Sequence, residues 1–225
     1  IFEMNNRAII FGASGLTGST LLSLLCEQEY YSEVICFVRK QIHNIHDKQQ
    51  NILTDFNDLE SHAALFQHAD VYCCLGTTNK NVNNDKEAYR EADLYRPLRI
   101  AKLLKANNGK QLLIISAMGA DENGRIFYNK LKGELQRKLI EMQLPCLHIF
   151  QPSLLLGDRR EHRSGEKFAT ALMAFIQPML VGGWRKYRAI HVKSVAKAMF
   201  IKAKQSGSGN HIYTSDIIQQ IADAG

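Results

Sequence analysis

The run from Arg7 to Gly18, RAIIFGASGLTG, constrains this chain more than any other stretch. Ala8-Ile9-Ile10-Phe11 reads as a buried strand. Gly12, Gly15 and Gly18 follow at a spacing of three, and Ser19 to Leu25 continues in a helical pattern. A strand that turns on glycines into a helix is the arrangement a dinucleotide pyrophosphate needs. Gly12 serves the sharp turn, Gly15 lets backbone N–H groups approach an anion at the positive helix end, and Gly18 lets helix and strand lie close. Ser14, Leu16 and Thr17, between the glycines, belong to the same cradle.

The remainder of the chain alternates as such a turn requires. Val34-Ile35-Cys36-Phe37-Val38 reads as the second strand and ends in Arg39-Lys40, where the side chain facing the adenosine ribose is expected. An acidic residue there would bind a 2′-hydroxyl and repel a 2′-phosphate. Two basic residues favour NADP(H) over NAD(H). Asn51 to Phe56 reads as a third strand that brings Asp55 and Phe56 to the adenine. Ala69 to Leu75 reads as a fourth, followed by the small-residue turn Gly76-Thr77-Thr78, so Leu75, Gly76 and Thr77 face the ligand edge. A helix is expected over 85–107, bent at Pro97. Gln111 to Ile115 is a strand apolar throughout, as a strand covered on both faces should be, and it delivers Ser116 to the carboxyl edge of the sheet.

The next helix should run from about Arg125 to about Gln143 and carry Tyr128 and Lys132 on one face, four residues apart. That pair alone is a common spacing. Ser116, twelve residues ahead at a strand end, is what gives it meaning. Cys146 to Gln151 reads as a sixth strand, followed by Pro152-Ser153. Beyond it come a charged loop over 157–166, an apolar helix over 168–176, Gly182-Gly183-Trp184, a short strand at 188–191, a helix over 193–204 and a turn at 206–209. The fold class this implies is α/β, a doubly wound and mostly parallel sheet. It forms one domain over residues 4–225, with 152–225 supplying most of the substrate-side wall and Ile1-Phe2-Glu3 lying outside it.

At 225 residues, 45% hydrophobic and 22% charged, the composition is that of a globular domain able to bury a core. The net charge of +6 is spread along the chain, with no basic stripe interleaved with aromatics, which argues against nucleic-acid binding. No apolar run has the length of a membrane span and no signal-peptide pattern opens the chain, so the expected location is cytoplasmic. The cysteines Cys26, Cys36, Cys73, Cys74 and Cys146 sit in apolar runs without paired spacing and read as core residues of a reducing compartment. His43 and His46 lack a third ligand nearby, and no metal site is expected.

The chain resembles the atypical short-chain dehydrogenase/reductases, in their NAD(P)H-binding, Tat-interacting-protein-like oxidoreductase branch. The carriers are Gly12 to Gly18, Leu75-Gly76-Thr77-Thr78, Ser116 to Ala120, Tyr128 to Glu134, Gln151 to Arg159 and Ile190-His191-Val192. The resemblance implies a Rossmann fold and three catalytic roles. Tyr128 would be the general acid or base, Lys132 would lower its pKa and hold the nicotinamide ribose, and Ser116 would bind the carbonyl oxygen. Pro152 and Ser153 would flank the nicotinamide. No asparagine is assigned as the fourth member of a proton relay, and Gln151 stands where the branch usually carries arginine. The implied activity is reduction of a small or lipophilic carbonyl compound. The other reading is a non-catalytic NADP(H)-binding regulator that senses redox state and passes it to a protein partner. Under either reading the protein is expected to be a monomer or a homodimer.

Overall fold

The computed structural model describes residues 6–77, 82–157, 180, 182–205 and 207–225. The charged loop beyond Gly157, the apolar helix expected over 168–176 and Thr78 lie outside the described residues.

The first strand, β1 (Arg7–Phe11), shows why the sheet is covered on both sides. Ala8 and Ile10 enter one core and Ile9 and Phe11 the other, each fully buried. Side chains of successive strand residues point to opposite faces, so a continuous apolar run needs a layer on each. With β2 (Glu33–Val38), β3 (Gln49–Leu53), β4 (Asp70–Cys73), β5 (Gln111–Ile115), β6 (Cys146–Gln151) and Gly209–Thr214, it makes a seven-stranded sheet. The order is β3-β2-β1-β4-β5-β6 and then Gly209–Thr214, with every pairing parallel. A separate parallel pair joins β7 (Leu155–Leu156) to β8 (Ile190–His191), which makes Gly209–Thr214 β9.

Helices α1 (Leu16–Glu27), α5 (Val192–Lys204) and α6 (Ser215–Ala224) cover one face, where Leu21, Leu25, Val195, Met199 and Ile218 share a core with Ile10 of β1, Leu113 of β5 and Phe150 of β6. On the other face lie a 3₁₀ segment (Leu59–Phe66), α2 (Lys86–Arg90), α3 (Arg96–Ala106) and α4 (Phe127–Glu141). Strand order reverses between β1 and β4, and this switch point is where an open α/β sheet takes its ligand.

Three elements differ from expectation. β3 lies two residues earlier than read and ends at Leu53, so Thr54 to Phe56 form a turn beyond the strand. Residues 209–214 extend the sheet as β9 and are followed by α6. The alternation there is weak because Gly209, Asn210 and Ile212 are exposed. The helix expected over 85–107 is interrupted by a π turn at Glu91–Tyr95, closed by the Arg96 N–H to the Glu91 carbonyl. Pro97 has no N–H to return to the Asp93 carbonyl four residues back, and its ring would crowd that carbonyl, so the backbone takes a wider turn and restarts as α3.

One glycine fixes how α4 meets the loop that leads into it from β5. A Cβ on Gly133 would stand 2.1 Å from the Glu122 nitrogen and 2.4 Å from the Asp121 carbonyl carbon. These are backbone atoms that cannot swing away. Gly133→Ala is therefore expected to cost about 1–3 kcal/mol, read as a lower urea midpoint. Gly183→Ala, where nothing lies within 4 Å, is the control. Equal midpoints for the two variants would show that α4 does not depend on this contact.

Candidate active site

The ends of β1, β2, β3, β4, β5 and β6 bring the candidate residues to one edge of the sheet. At β1, Gly12 has φ +86° and a Cβ there would lie 2.6 Å from the Cys74 carbonyl oxygen, so the βα turn packs on the turn after β4. A Cβ on Gly18 would lie 2.1 Å from the Gly12 carbonyl oxygen. Gly12 thus makes the sharp turn, and Gly18 lets α1 lie close on it. The Gly15 N–H closes the turn on the Gly12 carbonyl at 3.0 Å. No side chain caps the N-terminus of α1 and its first turn carries no acid, which leaves backbone N–H groups and the positive helix end for an anion. Ser14 and Gly15 are exposed at this edge, Leu16 is half-buried, and Thr17 and Gly18 are buried beneath it.

Arg39 and Lys40 follow β2 and are exposed. Arg39 lines a cleft of ≈ 720 Å³ with Leu53, Thr54, Asp55, Asn57, Asp58 and Arg96. Asn57 donates its backbone and side-chain N–H groups to the Asp55 carboxylate, each at 2.9 Å, which holds that carboxyl below the usual range. Phe56 does not open onto the cleft as expected. It is 3% exposed at φ +74°, its ring packs near Phe11, and the Arg96 guanidinium lies over it at 5.0 Å. Arg96, a residue the sequence reading did not select, is the group this aromatic face presents to the cleft.

The turn after β4 leads to a buried ion pair. The Thr77 N–H donates to Asp93 Oδ1 at 2.7 Å, and Tyr89 donates its hydroxyl to the Thr77 carbonyl at 3.2 Å. Asp93 Oδ2 lies 2.9 Å from Lys132 Nζ, with the two side chains 1% and 4% exposed. Burial pushes the Lys132 ammonium down, but Asp93 and Tyr128 more than offset this and leave it raised and charged. The same ammonium sits 5.9 Å from the centre of the Tyr128 ring, and Tyr128 is 38% exposed. Asp93 is thus a member of the site that sequence reasoning missed. The available signal was Pro97 four residues on, which forces the π turn that carries it.

Ser116 is buried just beyond β5. Its N–H donates to the Phe150 carbonyl at 2.7 Å, and its Oγ accepts from Gln136 Nε2 at 2.6 Å. Ser116 is thereby tied to the helix that carries Tyr128 and Lys132. The Pro152 carbonyl, at the end of β6, accepts from the Met118 N–H at 3.0 Å, which joins the two strand ends. Ser153 turns the other way. Its hydroxyl donates to the Arg188 carbonyl and lies 3.1 Å from the Ser215 hydroxyl. Leu75 is half-buried and Gly76 exposed, between the glycine turn and Thr77.

Burial pushes the thiols of Cys36 and Cys73 up to about 12, which makes them apolar filling and not nucleophiles. Among the described residues, no helix is long and apolar enough to cross a membrane.

A parallel sheet in this order, with an uncapped glycine turn at its switch point, defines a Rossmann-fold dinucleotide-binding protein. The chain belongs to the NAD(P)H-binding family, whose model matches residues 12–143, and sits in its short-chain dehydrogenase/reductase-like, Tat-interacting-protein-like branch. It is 33% identical over 213 residues to Protein HTATIP2 of Rattus norvegicus, covering 92% of this chain and 86% of that one. It is 30% identical over 177 residues to the mitochondrial Protein FMP52 of Eremothecium gossypii, covering 79% and 78%. Among solved structures, MoeE5 in complex with UDP-glucuronic acid and NAD superposes with a TM-score of 0.71 at 14% identity, over 92% of this chain and 75% of that chain. That likeness is one of fold. The designation of the FMP52 relatives as mitochondrial overturns the cytoplasmic location expected from the sequence. The missing span and signal pattern on which that expectation rested do not distinguish one aqueous compartment from another.

Proposed function

We propose that this protein is an NADPH-dependent reductase of a small or lipophilic carbonyl compound. The observation that carries the reading is the Tyr128–Lys132–Asp93 stack, a half-exposed phenol above a buried, charge-compensated ammonium. The phenol carries a transferable proton beside a charged ammonium, which suits it to exchange a proton with a carbonyl or alcohol oxygen. Hydride donation and acceptance belong to the dinucleotide when it is bound. The chain would hold the pyrophosphate on Gly12, Ser14, Gly15, Leu16, Thr17 and Gly18, line the ligand edge with Leu75, Gly76 and Thr77, flank the nicotinamide with Pro152, and orient the substrate oxygen between Ser116 and Tyr128. Residues 152–225 would supply the substrate-side wall, including the exposed Trp184 and Tyr187. The FMP52 names make a mitochondrial compartment the reading for this chain.

The test is NADPH consumption across aldehydes, ketones and quinones, with Tyr128→Phe beside the wild type. Turnover that disappears in the variant supports the reductase. A preparation that binds NADPH, turns over none of them and holds a protein partner differently with NADPH and NADP⁺ would replace it with the redox-sensing reading.

Cofactor choice is read from Arg39 and Lys40, with Asp55 and Arg96 on the adenine side of the cleft. A charge-assisted contact to a 2′-phosphate contributes on the order of 1.5–3 kcal/mol. The double variant Arg39→Ala/Lys40→Ala should therefore weaken NADPH binding by about 10- to 100-fold and leave NADH nearly unchanged, as measured by fluorescence titration. Equal losses for both dinucleotides would remove the basis for NADP(H) preference.

A further inference from the structure

Three polar side chains stand on α4 at successive intervals of four, Tyr128, Lys132 and Gln136, and so share one face of the helix. The proposed reaction uses the first two and leaves the third without a role. Gln136 is 8% exposed and its helix neighbours Leu135 and Leu139 are fully packed, so packing alone would call for an apolar residue. Leaving a carboxamide buried without partners costs on the order of 1–3 kcal/mol. Here both of its ends are held. Nε2 donates to Ser116 Oγ at 2.6 Å, and Oε1 accepts from Gln151 Nε2 at 2.9 Å. A serine hydroxyl carries one proton and two acceptor positions. With Gln136 donating into one of those positions, the proton of Ser116 is left for a ligand.

We infer that Gln136 is a positioning residue that, oriented by Gln151, sets the Ser116 hydroxyl as a hydrogen-bond donor toward the substrate carbonyl oxygen. The inference rests on the reductase reading and adds two residues to it. Gln151 and Gln136 form a directed pair from β6 to α4, and the pair ends on the strand-edge serine. The order of donors is what matters. The reverse order would have Ser116 donating to Gln136 and would spend the serine proton inside the protein, leaving the substrate oxygen facing a lone pair.

The side-chain amide signals of ¹⁵N-glutamine-labelled protein report this order without any substrate. In Ser116→Ala, one Gln136 amide proton should move upfield and lose its protection from exchange, while the Gln151 amide keeps its own. A Gln136 amide unchanged in Ser116→Ala means the reversed order and overturns the inference. Turnover is the second readout, on whichever carbonyl the wild type reduces. Gln136→Glu has the same shape, but its carboxylate accepts the serine proton. It should lower kcat by on the order of 10²-fold at pH 8, leave the Kd for NADPH within about 2-fold, and recover as the pH falls and the carboxyl regains a proton to donate. Gln136→Leu should lose as much without the recovery. Wild-type kcat in Gln136→Leu overturns the inference. Full turnover in Ser116→Ala instead removes serine from the proposed reaction while the amide contact stands, so the two failures are distinguishable. If the wild type reduces no carbonyl tested, the amide signals decide.

Discussion

Asp93→Ala should be the most destabilising single change at the site. Lys132 and Asp93 are 4% and 1% exposed and 2.9 Å apart, so removing the carboxylate takes away the counter-charge of a buried ammonium. Breaking a buried pair on one side costs about 3–5 kcal/mol because the remaining charge is uncompensated. For a domain of ordinary marginal stability, that is a large part of what holds it folded. The loss should appear as a strongly lowered urea midpoint or as failure to accumulate soluble protein. Asp93→Ala also frees the Thr77 N–H, so the turn after β4 should loosen as well. The double variant Asp93→Leu/Lys132→Met separates charge from shape. With both charges gone, most of the stability should return, to within about 1–2 kcal/mol of wild type, yet turnover should stay absent because the ammonium next to Tyr128 is gone. An Asp93→Ala protein within about 1 kcal/mol of wild type would contradict the ion pair as a structural element.

This pair also marks how far the sequence could be read. The glycine turn was legible because its demands are local. Gly12 must take a left-handed backbone against Cys74 and Gly18 must admit the Gly12 carbonyl, and few residue types satisfy either. The strands β1, β2, β4, β5 and β6 were legible because burial on both faces leaves continuous apolar runs. Tyr128 and Lys132 share a face by helical periodicity alone. Asp93 was hidden because an acid in an amphipathic helix ordinarily faces water. Only the π turn, a consequence of Pro97, rotates it inward. β9 was hidden because it is a sheet edge. Its side chains are half wet, and its pairing with β6 depends on partners more than fifty residues away. The third strand was read two residues late because Gln49 is buried by hydrogen bonds to the His43 carbonyl and to Asn51, a polar solution that hydropathy does not register.

Phe56 and Ser153 carry a related lesson about site residues. Position at a strand end predicts proximity to the ligand edge but not the direction of the side chain. Phe56 turns into the core behind Arg96, and the Ser153 hydroxyl ties β6 to the Arg188 backbone and to the start of α6. Loops beyond a strand have no fixed alternation, so the neighbours that capture a side chain decide where it points. At Ser116 the capturing neighbour is Gln136, on the same helix face as the tyrosine and lysine, and the captured hydroxyl stays at the site.

Tyr128→Phe removes one oxygen from a half-exposed ring and leaves the ion pair beneath it intact, so stability should change by less than about 0.5 kcal/mol. The variant should bind NADPH within about 2-fold of wild type, since the pyrophosphate and ribose ends of the site do not use the phenol. Turnover should fall by about 10²–10⁴-fold, the range a positioned general acid or base supplies. Lys132 is held charged beside the ring by Asp93 in the variant as in the wild type, so the loss should fall on turnover and not on the ammonium or the fold. A phenylalanine variant that turns over at the wild-type rate would assign the proton to another group and remove the central residue of the proposed reaction.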